Sequence, residues 1–197
     1  MLKLTLDTNC LIDLAEGHLR GKDVLALQNA SCEGRASIAV AASCASERQR
    51  GGTFLASFDT FQARLLEIGL TEVAVLPTIM YWHASYWGQA IFPSESQQSR
   101  EVEIFGTLFP TVAPHWPKYA KDLGIDPNDF QCAEAIKWRN CLCDVQAFWA
   151  HDDANRDVFV TSDGNFRRKL LNSPSFKTAV IKTPAETIQM LTKGQLR

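Results

Sequence analysis

The stretch LTLDTNCLIDL at residues 4–14 changes its hydrophobic pattern at one acidic residue, Asp7. Before it, LKLTLD alternates apolar and polar residues, as a strand does. After it, the chain carries apolar side chains at helical spacing, at Cys10, Leu11, Leu14 and Ala15. Gly17 then supplies a helix stop. The pattern predicts strand, turn and helix, with Asp7 at the end of the strand.

The same order recurs near the other end of the chain, in VFVTSDGNFRRKLL at residues 158–171. A short β-prone run is followed by a turn at Asp163 and then by a helical segment. Between the two motifs, GRASIAVAAS (34–43) has the small and branched residues of a buried strand, and CASERQRG follows as a helical segment that contains Glu47. Strands that alternate with helices predict an α/β fold with a parallel sheet covered on both faces.

Acidic residues follow the predicted strands. In a parallel sheet the carboxyl ends of the strands share one edge, where ligands bind at the topological switch point. We therefore expect Asp7, Glu47 and Asp163 to meet there. A fourth acid, Asp144, lies on a predicted helix that apolar residues would orient against the sheet, namely Leu142, Val145, Phe148 and Trp149.

Carboxylates gathered in this way repel one another unless a cation compensates their charge. A set of ligands with oxygen atoms only suits Mg²⁺ or Mn²⁺ better than Zn²⁺. The six cysteines contain no Cys-x-x-Cys pair and the four histidines are scattered, which indicates reduced, mostly buried thiols and no zinc site.

The protein as a whole does not attract nucleic acid, because its net charge is −2 and its pI is near 6.1. Phosphate contacts would have to come from cations close to the acids: Arg48, Arg50, Arg167, Arg168 and Lys169. No run approaches the roughly 18 apolar residues of a membrane span, and the start MLKLTLD lacks the order of a signal peptide. We expect a cytoplasmic protein that does not enter a membrane.

Four pieces in order, LTLDTNCLIDL, IAVAASCASE, a helical Asp144 and VFVTSDGNF, resemble the PIN-domain nucleases over roughly residues 1–70 and 130–185. The resemblance implies a three-layer α/β/α sandwich around a short parallel sheet, and metal-dependent hydrolysis of phosphodiester bonds in single-stranded RNA. The residues that match the family's acidic ligands, and so its catalytic residues, are Asp7, Glu47, Asp144 and Asp163. The supporting polar residues would be Thr161, Asn165 and Asn9.

Each assignment has a structural alternative. Asp7 would serve as a helix cap, although Thr8 or Asn9 would cap as naturally, and Asp163 would serve its Asp-Gly turn. Glu47 would lie on a solvated helix face, and Asp144 would be paired by Arg139 or Lys137. Other acids are expected to face solvent: Asp13, Glu16, Asp152, Asp153 and Asp157.

Residues 71–130 depart from the compact family pattern, because they form an insertion rich in aromatic residues and prolines within one domain spanning 1–197. We predict extra helices there, over TIMYWHASYWGQAIF (78–92) and SREVEIFGTLF (99–109). The aromatic residues would pack in the core or a dimer, or would stack on unpaired bases. They are Trp82, Tyr86, Trp87, Trp116 and Tyr119.

Two function classes remain open from the sequence. The first is a Mg²⁺- or Mn²⁺-dependent endoribonuclease, either the toxin of a toxin–antitoxin pair, with a small antitoxin protein as partner, or an enzyme of RNA processing or defence. The second is a non-catalytic PIN-like module that binds RNA or protein. A homodimer is compatible with both classes. The four acids favour the first class, because binding alone does not need them.

Overall fold

The structure is a computed structural model that describes residues 1–47 and 54–194. Its strands in this part of the chain are β1 (Leu2–Leu6), β2 (Ala36–Ala41), β3 (Ala74–Leu76), β4 (Thr78–Ile79), β5 (Ala90–Ile91), β6 (Val158–Val160) and β7 (Ile181–Lys182). Five of them form a central sheet in the order β3-β2-β1-β6-β7, and every pairing in it is parallel. The predicted parallel sheet is confirmed.

Helices flank both faces of this sheet. They are α1 (Thr8–Ala15), α2 (Gly21–Cys32), α3 (Phe58–Glu67), α4 (Glu95–Leu108), α5 (Trp116–Asp122), α6 (Ala133–Asp153), α7 (Gly164–Asn172) and α8 (Pro184–Gly194). Helices α1, α2 and α8 pack together on one side, and α6 with α4, α5 and α7 on the other. The protein is thus an α/β fold with helices around a parallel sheet, consistent with three layers. None of the helices in residues 1–47 and 54–194 has both the length and the apolar content needed to cross a bilayer.

The sheet is buried on both faces, as parallel sheets are. Strand β1 contributes Leu4 and Leu6, and β6 contributes three apolar residues in succession, all of them inaccessible to solvent or nearly so. Helix α6 covers the sheet with Val145, Phe148 and other apolar residues, as the sequence predicted. Helix α6 lies against both strands, since Phe148 contacts Phe159 of β6 and the His151 ring is hydrogen-bonded to Thr5 of β1.

The topological switch point lies between β1 and β6. From β1 the chain passes first to β2 on one side, and later enters the sheet again as β6 on the other side. Leu6 pairs with Val160, and the Asp7 amide donates to the Val160 carbonyl at 2.9 Å. The residues that follow these two strands therefore leave the sheet side by side, at the position where ligands bind in open α/β sheets.

Of the two helices predicted in the insertion, one is wrong and one is confirmed. Residues 78–92 are not a helix, since they form β4, a series of turns and β5. Pro77 and Pro93 bound the segment, and His83 and Gly88 adopt positive φ angles of 63° and 77°, which end a helix. The predicted helix over 99–109 is confirmed, as part of α4.

Glu47 also differs from its prediction. Residues Ala42–Ser46 form a short 3-10 helix, and Glu47 follows it with extended backbone angles (φ −73°, ψ 150°). The remainder of the predicted helical segment, including Arg48 and Arg50, lies outside the described residues. Glu47 therefore stands at a helix end and not on a helix face.

Two glycines give a matched test of the packing around α1 and α2. A methyl group on Gly21 would lie 2.6 Å from the Asp13 carbonyl oxygen, whereas one on Gly106, within α4, would meet no atom within 4 Å. We expect Gly21→Ala to lower the free energy of unfolding by about 1–3 kcal/mol, and Gly106→Ala to raise it by about 1 kcal/mol. Urea denaturation measures both, and a neutral Gly21→Ala would contradict this packing.

Candidate functional site

Asp7 is the most constrained carboxylate at the switch point. Its side chain is buried, and it caps α1 because Oδ1 accepts a hydrogen bond of 2.8 Å from the Thr8 amide. Oδ2 accepts hydrogen bonds from Asn9 Nδ2 at 2.6 Å and from Thr161 Oγ1 at 2.7 Å. The structural alternative of a helix cap therefore holds for Asp7 itself, and not for Thr8 or Asn9.

Thr161 and Asn9 join the two strand ends. The buried Thr161 hydroxyl donates to Asp7 and accepts from Asn9 Nδ2 at 2.9 Å and from the Asp163 amide at 3.0 Å. The Asn9 side chain also accepts from the Ser162 amide at 2.9 Å. Two of the three predicted supporting residues thus lie within this network, and they fix the turn after β6 against the start of α1.

Asp163 has the role of a helix cap. Its Oδ1 accepts hydrogen bonds from the Asn165 amide at 2.7 Å and from the Phe166 amide at 3.1 Å, at the start of α7. Its side chain is exposed, and no hydrogen bond from a described residue reaches its other oxygen. The cap orients Asp163 and leaves Oδ2 accessible.

Glu47 and Asp144 complete the set from two further elements. Glu47 Oε1 accepts a hydrogen bond of 2.5 Å from the Thr8 hydroxyl, which places it beside the start of α1. Asp144 lies in the middle of α6 and is half-buried. No hydrogen bond or ion pair reaches the Asp144 carboxylate from any described residue. Arg139 does not pair with it, because its Nε donates instead to the Ser46 carbonyl at 2.9 Å.

The four carboxylates act on one another electrostatically. Burial, together with the negative charge of Asp163, raises the pKa of Asp7 to about 6, although hydrogen bonds from Thr161, Thr8 and Asn9 lower it. Burial and the charges of Asp7 and Asp163 raise the pKa of Asp144 to about 8. Burial and the charges of Asp144 and Asp7 raise the pKa of Glu47 well above its usual range. The structure therefore brings the predicted acids into one electrostatic cluster, as expected from the strand ends.

The carboxylates influence one another electrostatically, but their side chains are not arranged as a complete set of metal ligands. Among residues 1–47 and 54–194, no group of three or more His, Cys, Asp or Glu side chains is arranged to hold a metal ion. Both oxygens of Asp7 are engaged by donors, and one oxygen each of Glu47 and Asp163 is engaged as well. The donor set is chemically suited to Mg²⁺ or Mn²⁺, because it consists of carboxylate oxygens only. Its role as a metal site stays a prediction.

The predicted phosphate-binding cations do not form one patch. Arg167 pairs with Glu186 at 2.8 Å, and Arg168 donates to Asn165 Oδ1 at 2.9 Å. The Asn165 side chain is therefore turned toward Arg168, and only the Asn165 backbone amide contacts one of the acids, Asp163. Lys169 donates to the Leu108 carbonyl, and its charge lowers the pKa of Asp144. Of these three cations, only Lys169 acts on the cluster.

One acid expected to face solvent is buried. Asp13 accepts hydrogen bonds from Ser162 Oγ at 3.3 Å and from the His18 ring at 2.9 Å. It thereby links α1 to the turn after β6. Sequence analysis missed this contact because an acid at a helical position gives no sign of a partner 149 residues away. The cysteines are all free and four of the six are buried, as predicted.

The aromatic residues of the insertion divide into two groups. Trp116 is buried, and its ring contacts those of Tyr119 and Trp138. Trp82 and Trp87, in contrast, are about three-quarters exposed, at 75% and 77%. Core packing is therefore correct for Trp116 and wrong for the two exposed indoles.

Comparisons with protein-family models, with curated proteins and with solved structures each gave no match to this chain. The resemblance to PIN-domain nucleases therefore depends on the four motifs alone, and the membership of that family stays a prediction.

Thr161 gives a direct test of the network. Thr161→Val removes the hydroxyl that joins Asp7, Asn9 and the Asp163 amide but keeps the side-chain shape. We expect the free energy of unfolding to fall by about 1–3 kcal/mol, because buried polar groups lose their partner. Thr161→Ser should retain most of the stability. The control is Thr107→Val, which removes an exposed hydroxyl bonded to Glu103 within α4; equal losses in urea denaturation for the two valine variants would contradict the network.

Asp144 gives a test of the electrostatics. A carboxyl whose pKa rises on folding binds its proton more tightly in the folded chain, so stability falls as the pH rises from about 4 toward 8. In EDTA at pH 8, Asp144→Asn should therefore be more stable than the wild type by at least about 1 kcal/mol, and the difference should vanish near pH 4.

The matched control lies on the same helix. Asp153 is exposed and accepts from Gln97 Nε2 at 3.0 Å, a bond that the side-chain amide oxygen of an Asp153→Asn variant would keep. We expect this variant to remain within about 0.5 kcal/mol of the wild type at both pH values. Parallel pH profiles for the wild type and Asp144→Asn would show that Asp144 carries no buried charge.

Proposed function

We infer that this protein is a Mg²⁺- or Mn²⁺-dependent nuclease that hydrolyses phosphodiester bonds of single-stranded RNA, in the manner of the PIN-domain family that its motifs resemble. The observation that supports this most is the convergence of Asp7, Glu47, Asp144 and Asp163 at the switch point of the sheet. Burial, together with the negative charges of other acids in the set, raises the pKa values of Asp7, Glu47 and Asp144, and among the described residues no arginine pairs with Asp144 or Asp163.

The four acids would have different roles in the proposed site. Asp7 is held by three donors at a strand end, so it is the rigid reference point of the site. Asp144 is oriented by the packing of α6, and Asp163 keeps one oxygen accessible at the start of α7. Glu47 is positioned through Thr8 and would orient the attacking water. A bound divalent cation would supply the charge compensation and polarise the phosphate.

A second candidate is a non-catalytic PIN-like module that binds RNA or protein. It is favoured by one observation, that no three acidic, histidine or cysteine side chains of the described residues are arranged to hold an ion. The two candidates differ in one property, since only the nuclease needs the carboxylates to be chemically intact. The presence of a neighbouring gene for a small antitoxin protein would further separate a toxin from a processing or defence enzyme.

The test is cleavage of an end-labelled single-stranded RNA in EDTA, in Mg²⁺ and in Mn²⁺. We expect cleavage with either metal, none in EDTA, and a fall of about 100-fold or more for Asp7→Asn and for Asp144→Asn. Asp153→Asn, on the same helix as Asp144, should cleave at the wild-type rate.

A thermal-denaturation series gives a readout that does not depend on turnover. Mg²⁺ should raise the melting temperature of the wild type and of Asp153→Asn, but not that of Asp144→Asn, because a ligand stabilises only a fold that binds it. Cleavage that persists in EDTA, or in both carboxylate variants, would refute the nuclease. RNA binding without cleavage in either metal would favour the non-catalytic module.

A further inference from the structure

Two tryptophans of the insertion are exposed beside each other, and Phe92 in the same segment is exposed as well. Trp82 and Trp87 have ring centroids 6.2 Å apart and an angle of 75° between their planes. Leaving two indoles in water is unfavourable, because each of these large apolar side chains gains roughly 1.5–3 kcal/mol when fully buried. Clustered exposed aromatic residues therefore mark a surface that is covered when the protein works. We call Trp82 and Trp87 the indole pair.

The neighbours of the indole pair are held in place. The Tyr81 hydroxyl donates to the fully buried Glu101 at 2.8 Å, and the His83 ring stacks on Phe130 at 4.1 Å. The Tyr86 hydroxyl donates to the Leu55 carbonyl at 2.8 Å. The residues on both sides of Trp82 and the residue before Trp87 are thus held in place, while the indoles are exposed. The exposure is a property of an ordered segment and not of a loose loop.

The same segment is attached to the chain directly before Glu47. Ser46 Oγ donates to the Ala84 carbonyl, and the Tyr86 hydroxyl also lies 3.2 Å from the Ala45 carbonyl. Since consecutive Cα atoms are about 3.8 Å apart and a tyrosine side chain is short, Trp87 lies within about 20 Å of Glu47. The segment that carries the indole pair is therefore hydrogen-bonded to the 3-10 helix that precedes Glu47.

Arg139 lies beside Ser46, the residue that holds the segment carrying the indole pair. Its Nε donates to the Ser46 carbonyl at 2.9 Å, its guanidinium lies 3.8 Å from the centroid of the Phe54 ring, and its charge lowers the pKa of Tyr86 against the raising effect of burial. No carboxylate of the described residues pairs with it. A half-buried arginine without an acidic partner is available for an anion.

We propose that Arg139 and the indole pair form a binding surface for single-stranded nucleic acid, in which Arg139 contacts a backbone phosphate and Trp82 and Trp87 each stack on an unpaired base. This inference rests on the proposed function, since it specifies how the RNA would be led to the carboxylates.

The charges favour a nucleic acid over a protein partner or a lipid surface. Residues 74–93 contain no Asp, Glu, Lys or Arg, so no negative charge within this segment repels a phosphate backbone. Stacking of bases on aromatic rings, together with contacts from a cation to the backbone, is the usual means of holding a single strand without sequence preference. A protein partner would not require Arg139, which no carboxylate of the described residues pairs with.

The test measures binding of a fluorescent single-stranded RNA in EDTA, so that hydrolysis does not interfere. Trp82→Leu and Trp87→Leu remove the stacking ring but keep an apolar side chain, and each should raise Kd about tenfold. Trp82→Tyr and Trp87→Tyr should bind within about threefold of the wild type. Leu19→Ala, which alters another exposed apolar residue, is the control and should not change Kd.

The proposed phosphate contact of Arg139 is tested by the salt dependence of RNA binding. Arg139→Gln should lower the slope of log Kd against log salt concentration by about 0.7, the value for one phosphate contact on a single strand. The indole variants should leave this slope unchanged. Arg20→Gln, which removes an exposed cation beyond the far end of α1, is the matched control for net charge.

An RNA with abasic sites completes the design. If the rings stack on bases, the abasic strand should bind the wild type about as weakly as the intact strand binds the Trp82→Leu/Trp87→Leu double variant. Equal Kd values for the wild type and this double variant would overturn the proposal, as would self-association of the wild type that the double variant loses. Cleavage that depends on Asp144 but not on the indoles would leave the nuclease intact and refute this surface alone.

Discussion

The structure depends on the way that two parallel strands end together. The hydrogen bonds of Asp7 with Thr161, Asn9 and the Thr8 amide join β1, α1 and β6 at the switch point of the sheet. Without them, a buried carboxylate would face the charge of Asp163 with no compensation, which costs several kcal/mol. The network lowers the pKa of Asp7, yet burial, with a smaller contribution from the charge of Asp163, still leaves it at about 6, so some repulsion within the cluster accompanies the cost of burial.

This residual repulsion links the fold to the proposed chemistry. Helix α6 brings Asp144 to the same place without giving it a partner among the described residues, and Glu47 arrives from the end of a 3-10 helix. Clusters of perturbed carboxylates of this kind occur mostly at functional sites, because a purely structural role would be served better by apolar or paired residues. The fold thus maintains an unfavourable charge arrangement that a divalent cation and a phosphate would relieve.

The sequence predicted where the main strands end better than it predicted the segments and contacts between the strands. Periodicity placed β1, α1, β2, β6 and the apolar face of α6 correctly, and parallel-sheet topology then predicted that Asp7 and Asp163 would be neighbours. It failed at residues 78–92, where apolar residues at helical spacing form two short strands and turns. It also missed the buried Asp13 and the contact of Arg139 with Ser46, because both depend on partners far away in the chain. Thr161 and Asn9 lie beside Asp7, where the sequence predicted supporting residues. The Asn165 side chain does not, because it is hydrogen-bonded to Arg168.

The most direct measurement is calorimetric titration of the wild type with Mn²⁺ at pH 7 in buffers of different ionisation enthalpy. Because Asp144, with a pKa of about 8, and Glu47 bind protons tightly, a cation that coordinates the cluster must displace them. The account predicts that Mn²⁺ binds and releases about one proton or more, and that Asp144→Asn releases fewer. Absence of Mn²⁺ binding, or binding that releases no proton, would contradict the claim that these four carboxylates form a metal site.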